Sequence, residues 1–161
     1  YKMNIKFSDQ ELYLDTNSIF LAGPTMRNSS YAKSWRKKAC TILEELKFDG
    51  TVYVPEYYSN KEFEDDAYIN QTKWEWECLD MAGVIVFWVP RQMKDMPALT
   101  TNIEFGRYLT KKKDSVILGY PRYAEKMKYM DLLYRTETGR IPETTLGGTL
   151  KKAVSQLDYS N

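Results

Sequence analysis

The sequence predicts an α/β protein with a flavodoxin-like, doubly wound sheet of four or five mainly parallel strands. Short apolar runs alternate with segments in which apolar residues recur at helical spacing. The strongest run, 84–89, is hydrophobic at every position, which is typical of a strand buried on both faces. Repeats, low-complexity tracts and linkers are not apparent, so we expect one domain over residues 1–161.

This alternation of apolar runs and helical spacing predicts the position of each strand and helix. Strands are expected at 18–22, 51–54, 84–89 and 115–118, and helices at about 31–47, 70–81, 101–112, 124–134 and 144–157. A polar loop is expected through Asp66. Because ligands of such sheets bind beyond the carboxyl ends of the strands at the switch point, we expect loops 23–30 and 90–101 to form the site.

Composition excludes several kinds of chemistry. The chain has no histidine, which rules out Ser-His-Asp catalysis, Cys-His catalysis and histidine-based zinc sites. Acid–base work is left to carboxylates, tyrosines, lysines or the thiols of Cys40 and Cys78, which we expect to be buried and reduced. We expect no metal and no cofactor.

Net charge and hydropathy indicate which partners and which cellular compartment to expect. The formal net charge of +1 provides no overall field that would recruit a nucleic acid polymer or an anionic membrane. No apolar segment suits a membrane span or a signal peptide. We therefore expect a cytoplasmic protein.

The first loop contains polar groups suited to a ligand. Gly23 permits close backbone approach, and Thr25, Arg27, Ser29 and Ser30 could hold hydroxyl groups or a phosphate before a helix. A turn with Ser29 or Ser30 as the helix N-cap explains the same residues, and this interpretation is favoured when the loop is taken alone. The loop has neither the full Gly-x-Gly-x-x-Gly pattern nor a Walker lysine.

Glu104 has two interpretations. Thr101 and Glu104 fit a Thr-x-x-Glu capping box. A carboxylate in the first helical turn is also kept ionised by the helix dipole, and an ionised carboxylate at a switch point can attack an anomeric carbon.

The helix expected at 70–81 carries a second candidate carboxylate. Glu75 and Glu77 point about 200° apart on a helix, so at most one faces the site, and we expect Glu77 to be exposed. Trp74, Cys78 and Met81 share one face. Trp74, Trp76 and Trp88 are more typical of a core, although one of them near the site could stack on a planar base.

In order and spacing, these motifs resemble the nucleoside 2-deoxyribosyltransferase superfamily. Residues 20–24, Phe-Leu-Ala-Gly-Pro, are similar to its first strand and glycine turn. Residues 74–87 are similar to its helix and central strand, with Gly83 in place of the usual aspartate. Residues 97–106 are similar to the segment that holds the catalytic glutamate, and 121–126 to one branch of the superfamily.

The resemblance implies an enzyme that cleaves and re-forms the N-glycosidic bond of a nucleoside. Glu104 would be the nucleophile that forms a covalent glycosyl-enzyme, and a second base or water would resolve it. Glu75 matches a position near the base or the nucleophile, and Asn102 could bind the sugar. Ala98 replaces an acidic base-binding residue of some members. The implied contacts with substrate also include Gly23, Pro24, Thr25, Arg27 and Trp88.

Two alternatives stay open. One is a hydrolase acting on nucleoside 5′-monophosphates, with Arg27 at the phosphate; the other is a non-catalytic nucleotide-binding or sensing domain. The partners expected are a nucleoside or nucleotide and a free base. The resemblance also implies a homo-oligomer whose neighbouring subunit helps to close the site, with Tyr129, Tyr134 and Tyr159 on a shared surface or simply covering the sheet.

Overall fold

A computed structural model describes residues 2–59 and 66–160, and it contains a five-stranded, all-parallel sheet flanked by helices. The doubly wound, flavodoxin-like prediction is thereby confirmed. The strands are β1 (Asn4–Phe7), β2 (Ser18–Ala22), β3 (Thr51–Val54), β4 (Val84–Trp88) and β5 (Val116–Gly119). The helices are α1 (Trp35–Glu45), α2 (Ala67–Met81), α3 (Leu99–Lys111), α4 (Lys128–Thr138) and α5 (Leu146–Ser160).

The switch point lies between β2 and β4. The strand order is β1-β3-β2-β4-β5, so the sheet extends in opposite directions from these two central neighbours. Ala22 is in register with Phe87, which ends both strands at the same edge of the sheet. The loops after β2 and β4 therefore start side by side, as the sequence predicted.

Strand β1 was not predicted. It lies at the edge of the sheet beside β3, and only Phe7 of its four residues is fully buried. An edge strand with polar positions such as Lys6 has no continuous apolar run, so the signal that identified the other strands is missing here.

The sheet is covered on both faces. In β2 and β4 alternate side chains point to opposite faces: Phe20 and Phe87 pack in one core cluster, and Leu21 and Val86 in the other. The first cluster includes residues of α2, α3 and α4, and the second includes residues of α1 and α5. Cys40 and Cys78 belong to different clusters and are buried and free, as expected.

Helix boundaries and one face differ from the predictions. Helix α1 begins at Trp35 rather than near Tyr31, and the side chain that caps it is Ser34, whose hydroxyl accepts a bond from the Arg36 N–H at 3.1 Å. The predicted cap by Ser29 or Ser30 is therefore wrong.

On α2, Met81 is 38% exposed, so it does not share the buried face of Trp74 and Cys78. Leu79 is buried there instead. The expected polar loop after β3 includes residues 60–65, which lie outside the described residues. Within the described ranges, no helix has both the length and the apolar character needed to cross a membrane.

The three tyrosines expected on a shared surface differ in their exposure to solvent. Tyr129 and Tyr159 are 81% and 91% exposed, but Tyr134 is 1% exposed. Its ring packs on Phe105, and its hydroxyl accepts a hydrogen bond from Arg140 Nε at 3.1 Å. Tyr134 is a core residue, so the prediction of a surface role is wrong for it.

We expect Tyr134→Ala to lower the free energy of unfolding by about 3–5 kcal/mol, because it opens a cavity in a packed cluster. Tyr129→Ala is the matched control on the same helix and should change it by about 0.5 kcal/mol or less. Urea denaturation followed by circular dichroism measures both. Similar losses in the two variants would contradict the core assignment.

Candidate active site

The turn after β2 is built on the absence of a side chain at Gly23. Its φ is +146°, and a Cβ placed there would lie 2.1 Å from the carbonyl oxygen of Trp88 and 2.9 Å from the Trp35 ring. The next carbonyl, that of Pro24, accepts a hydrogen bond from Trp35 Nε1 at 2.9 Å. The first loop is thus pressed against the end of β4, where only glycine fits.

A buried cation, Arg36, holds this turn in place. The side chain is 1% exposed, and its guanidinium donates to the carbonyls of Leu21 (2.8 Å) and Gly23 (2.6 Å) and to the Thr25 hydroxyl (2.7 Å). It also forms an ion pair of 2.9 Å with the buried carboxylate of Glu56. Because a charge inside a protein is costly unless it is paired and hydrogen-bonded, this network specifies the loop conformation.

Sequence reasoning missed Arg36 and Glu56, although a signal was present. The buried positions of α1 are Arg36, Ala39, Cys40 and Leu43, which follow the i, i+3, i+4, i+7 spacing of one helical face. An arginine at a position of the apolar stripe indicates an internal partner. Glu56, two residues beyond β3, is that partner and also accepts a hydrogen bond from Ser34 at 2.5 Å.

Glu104 does not cap its helix. Helix α3 begins at Leu99 after Ala98, which has a left-handed backbone (φ 58°) and forms no side-chain cap. Thr101 is therefore already inside the first turn and is buried, and Glu104 lies one turn further along. The predicted capping box and the first-turn dipole effect on Glu104 are both wrong.

Glu104 and Glu75 form an electrostatically coupled pair. Burial and then the charge of Glu75 raise the pKa of Glu104 to about 7, against a smaller opposing effect of Arg36. Burial also raises the pKa of Glu75, while a hydrogen bond from Gln71 (3.4 Å) and the charge of Arg36 lower it. Two carboxyls in one partly buried region resist double ionisation, so the pair retains a proton near neutral pH.

The structure places the other residues predicted on α2 and α3 in different environments. Glu77 is exposed, as expected, and Trp74 is in the core. Asn102 is exposed, and its side-chain oxygen accepts a hydrogen bond from the buried Arg91. Asn102 and Glu104 are two residues apart on α3, and residues at that spacing on a helix do not face each other. The Asn102 amide therefore does not lie beside the Glu104 carboxyl.

Two clefts flank the first loop. One, of about 560 Å³, lies between the loops after β2 and β4 and includes Thr25, Trp35 and Trp88 in its lining. The other, of about 840 Å³, lies beyond β3 and includes Thr25 and Gln71. Pro24, Arg27, Glu75 and Glu104 do not line either cleft. Among the described residues, no group of three or more His, Cys, Asp or Glu side chains could hold a metal ion.

The fold and this site define a doubly wound α/β protein with a coupled carboxylate pair and a ligand-sized cleft at its switch point. Residues 16–123, more than half of the chain, match the family described as "Nucleoside 2-deoxyribosyltransferase like". The chain therefore belongs to the nucleoside 2-deoxyribosyltransferase-like family. No curated protein matches it. The matched range includes Gly23, Glu75 and Glu104 and ends before α4.

We expect Arg36→Met to lower the free energy of unfolding by about 3–5 kcal/mol, because it leaves the Glu56 carboxylate buried without its cation. Lys111→Met is the matched control: it breaks the exposed pair with Asp80, where both side chains are nearly half exposed, and should cost about 1 kcal/mol or less. Urea denaturation checks both variants, and equal costs would contradict a structural role for the buried pair.

Proposed function

We propose that the protein cleaves and re-forms the N-glycosidic bond of a nucleoside or nucleotide, with Glu104 as nucleophile. The observation that carries this proposal is the coupled pair of Glu104 and Glu75 at the switch point, in the range that matches the family. A carboxylate with a pKa near 7 is available in both protonation states under ordinary conditions.

In the first step, a carboxylate oxygen of Glu104 forms a bond to the anomeric carbon. The bond from that carbon to the base nitrogen breaks, and its electron pair stays on the base, which takes up a proton. The pair contains one proton near neutral pH, so the microstate with Glu104 ionised and Glu75 protonated supplies both the nucleophile and the acid.

In the second step, a nitrogen of another base, or a water molecule, attacks the anomeric carbon and releases the Glu104 carboxylate. The proton lost by the acceptor returns to Glu75. Two displacements at the same carbon give net retention of configuration. Transfer and hydrolysis differ only in the acceptor, so product analysis with and without an added base distinguishes them.

We expect Glu104→Gln to fold normally and to lose turnover by at least about a thousandfold, a transition-state loss of several kcal/mol. Gln has nearly the shape of Glu but does not readily form the glycosyl ester. Burial of the ionised Glu104 opposes folding as the pH rises toward its raised pKa, so the neutral Gln should cause no loss of stability at pH 8.

Chromatography of base exchange from a deoxynucleoside panel measures this turnover, and urea denaturation verifies the fold. A fluorinated sugar substrate should in addition leave a covalent adduct on Glu104 in peptide mass spectrometry. Normal turnover in a folded Glu104→Gln protein would exclude the mechanism and favour a non-catalytic binding domain.

The pH profile provides a second test. The active form of the pair holds one proton, so loss of that proton as the pH rises through about 7 should lower kcat/KM with an apparent pKa near that value. Glu75→Gln leaves Glu104 as a single carboxyl whose pKa is no longer raised by a like charge, so this limb near pH 7 should disappear even though the rate falls. Glu77→Gln, on the exposed side of α2, is the control and should leave the limb in place. A limb that stays at the same pH in Glu75→Gln would refute the coupling.

A further inference from the structure

The cleft between the loops after β2 and β4 has a positively charged rim. Lys33, Lys37 and Lys38 contribute to its lining, and none of them takes part in an ion pair within the described part of the chain. The carboxylate among the described lining residues is Glu56, which is already paired with Arg36. The ammonium groups therefore give the cleft a net positive charge that its own walls do not neutralise.

The start of α1 adds to this charge. Ser34, the N-cap of α1, lines the cleft, and the first turn of the helix contains no acidic residue. The N-terminus of a helix carries a partial positive charge that stabilises anions. Both the side chains and the backbone at this end of the cleft thus favour a negatively charged ligand.

The lining of the cleft also contains apolar and aromatic side chains. Trp88 ends β4 and is 7% exposed, while Tyr123, from the loop after β5, is 66% exposed. The remaining apolar lining residues are Met26, Ala32, Trp35, Pro90 and Met96. Aromatic and apolar walls suit a planar base, and the volume of about 560 Å³ lies in the range of small-ligand sites.

We propose that this cleft binds the phosphate of a nucleoside monophosphate through Lys33, Lys37 and Lys38, and that the substrate is a nucleotide rather than a free nucleoside. The identification as substrate rests on the proposed function, whereas the binding does not. Arg27, which the sequence suggested for a phosphate, is exposed and does not line the cleft. The phosphate contact is thus assigned to the lysines before and in α1.

Binding is measured separately from turnover by isothermal titration calorimetry on the Glu104→Gln protein. The ligands are the four common deoxynucleosides, their 5′-monophosphates and inorganic phosphate. For the preferred base, the monophosphate should bind at least about tenfold more tightly than its nucleoside, because charge-assisted contacts are added. Inorganic phosphate alone should bind more weakly than the monophosphate, since it lacks the contacts of the base.

The double variant Lys37→Ala, Lys38→Ala should weaken monophosphate binding by about tenfold or more and nucleoside binding by less than about threefold. The matched control is Lys151→Ala, Lys152→Ala, which removes two exposed, adjacent lysines of α5 outside the cleft and should change neither affinity. All four substitutions replace exposed residues within helices by alanine, which favours helix, so the variants should fold.

The outcomes separate this inference from the proposed function. Equal affinities for nucleoside and monophosphate, or equal losses in the two double variants, would overturn the phosphate site, and turnover of free nucleosides would still support the glycosidic chemistry. Selective monophosphate binding that depends on Lys37 and Lys38, in a wild-type protein that releases no base, would support the site and refute the chemistry.

Discussion

The buried guanidinium of Arg36 is the interaction on which the candidate site depends. It belongs to the apolar stripe of α1, yet its donors bond to Leu21 near the end of β2, to Gly23 in the turn beyond it and to Glu56, two residues beyond β3. A buried cation of this kind allows few alternative loop conformations, because each would leave a donor or the Glu56 carboxylate without a partner. The chain thus uses one charge to connect α1, β2 and β3 at the edge where the site forms.

The same charge acts on the carboxylate pair. Arg36 lowers the pKa values of both Glu75 and Glu104, but burial raises them more strongly, and Glu75 raises that of Glu104 further. The result is an acid of pKa about 7 rather than a permanently ionised carboxylate. The prediction of an ionised Glu104 rested on the dipole of its own helix alone. It is wrong because the packing of α2 and the burial of the side chain determine the pKa of Glu104 more strongly than that dipole does.

The sequence predicted those parts of the fold that depend on long apolar runs. The strands from 18 onward were found because their buried residues are contiguous, and the switch point followed from their order. Local patterns were less reliable: Thr101 and Glu104 satisfy a capping box, but α3 starts two residues earlier, after the left-handed Ala98. The role of Arg36 could not be derived from spacing alone, since its partner Glu56 is brought to it only by the pairing of β2 with β3.

The two faces of the sheet also constrain what a substrate must look like. Glu75 and Glu104 are carried by α2 and α3, which pack on one face, whereas the lysines of the cleft lie in and just before α1, which packs on the other. A ligand in contact with both must extend across the carboxyl ends of β2 and β4, over the turn where Gly23 has no side chain. A small sugar has one kind of surface and little length. A nucleotide has three different groups: a phosphate that suits the cationic rim, an aromatic base that suits the apolar wall, and between them a sugar whose anomeric carbon would have to reach the carboxylate pair.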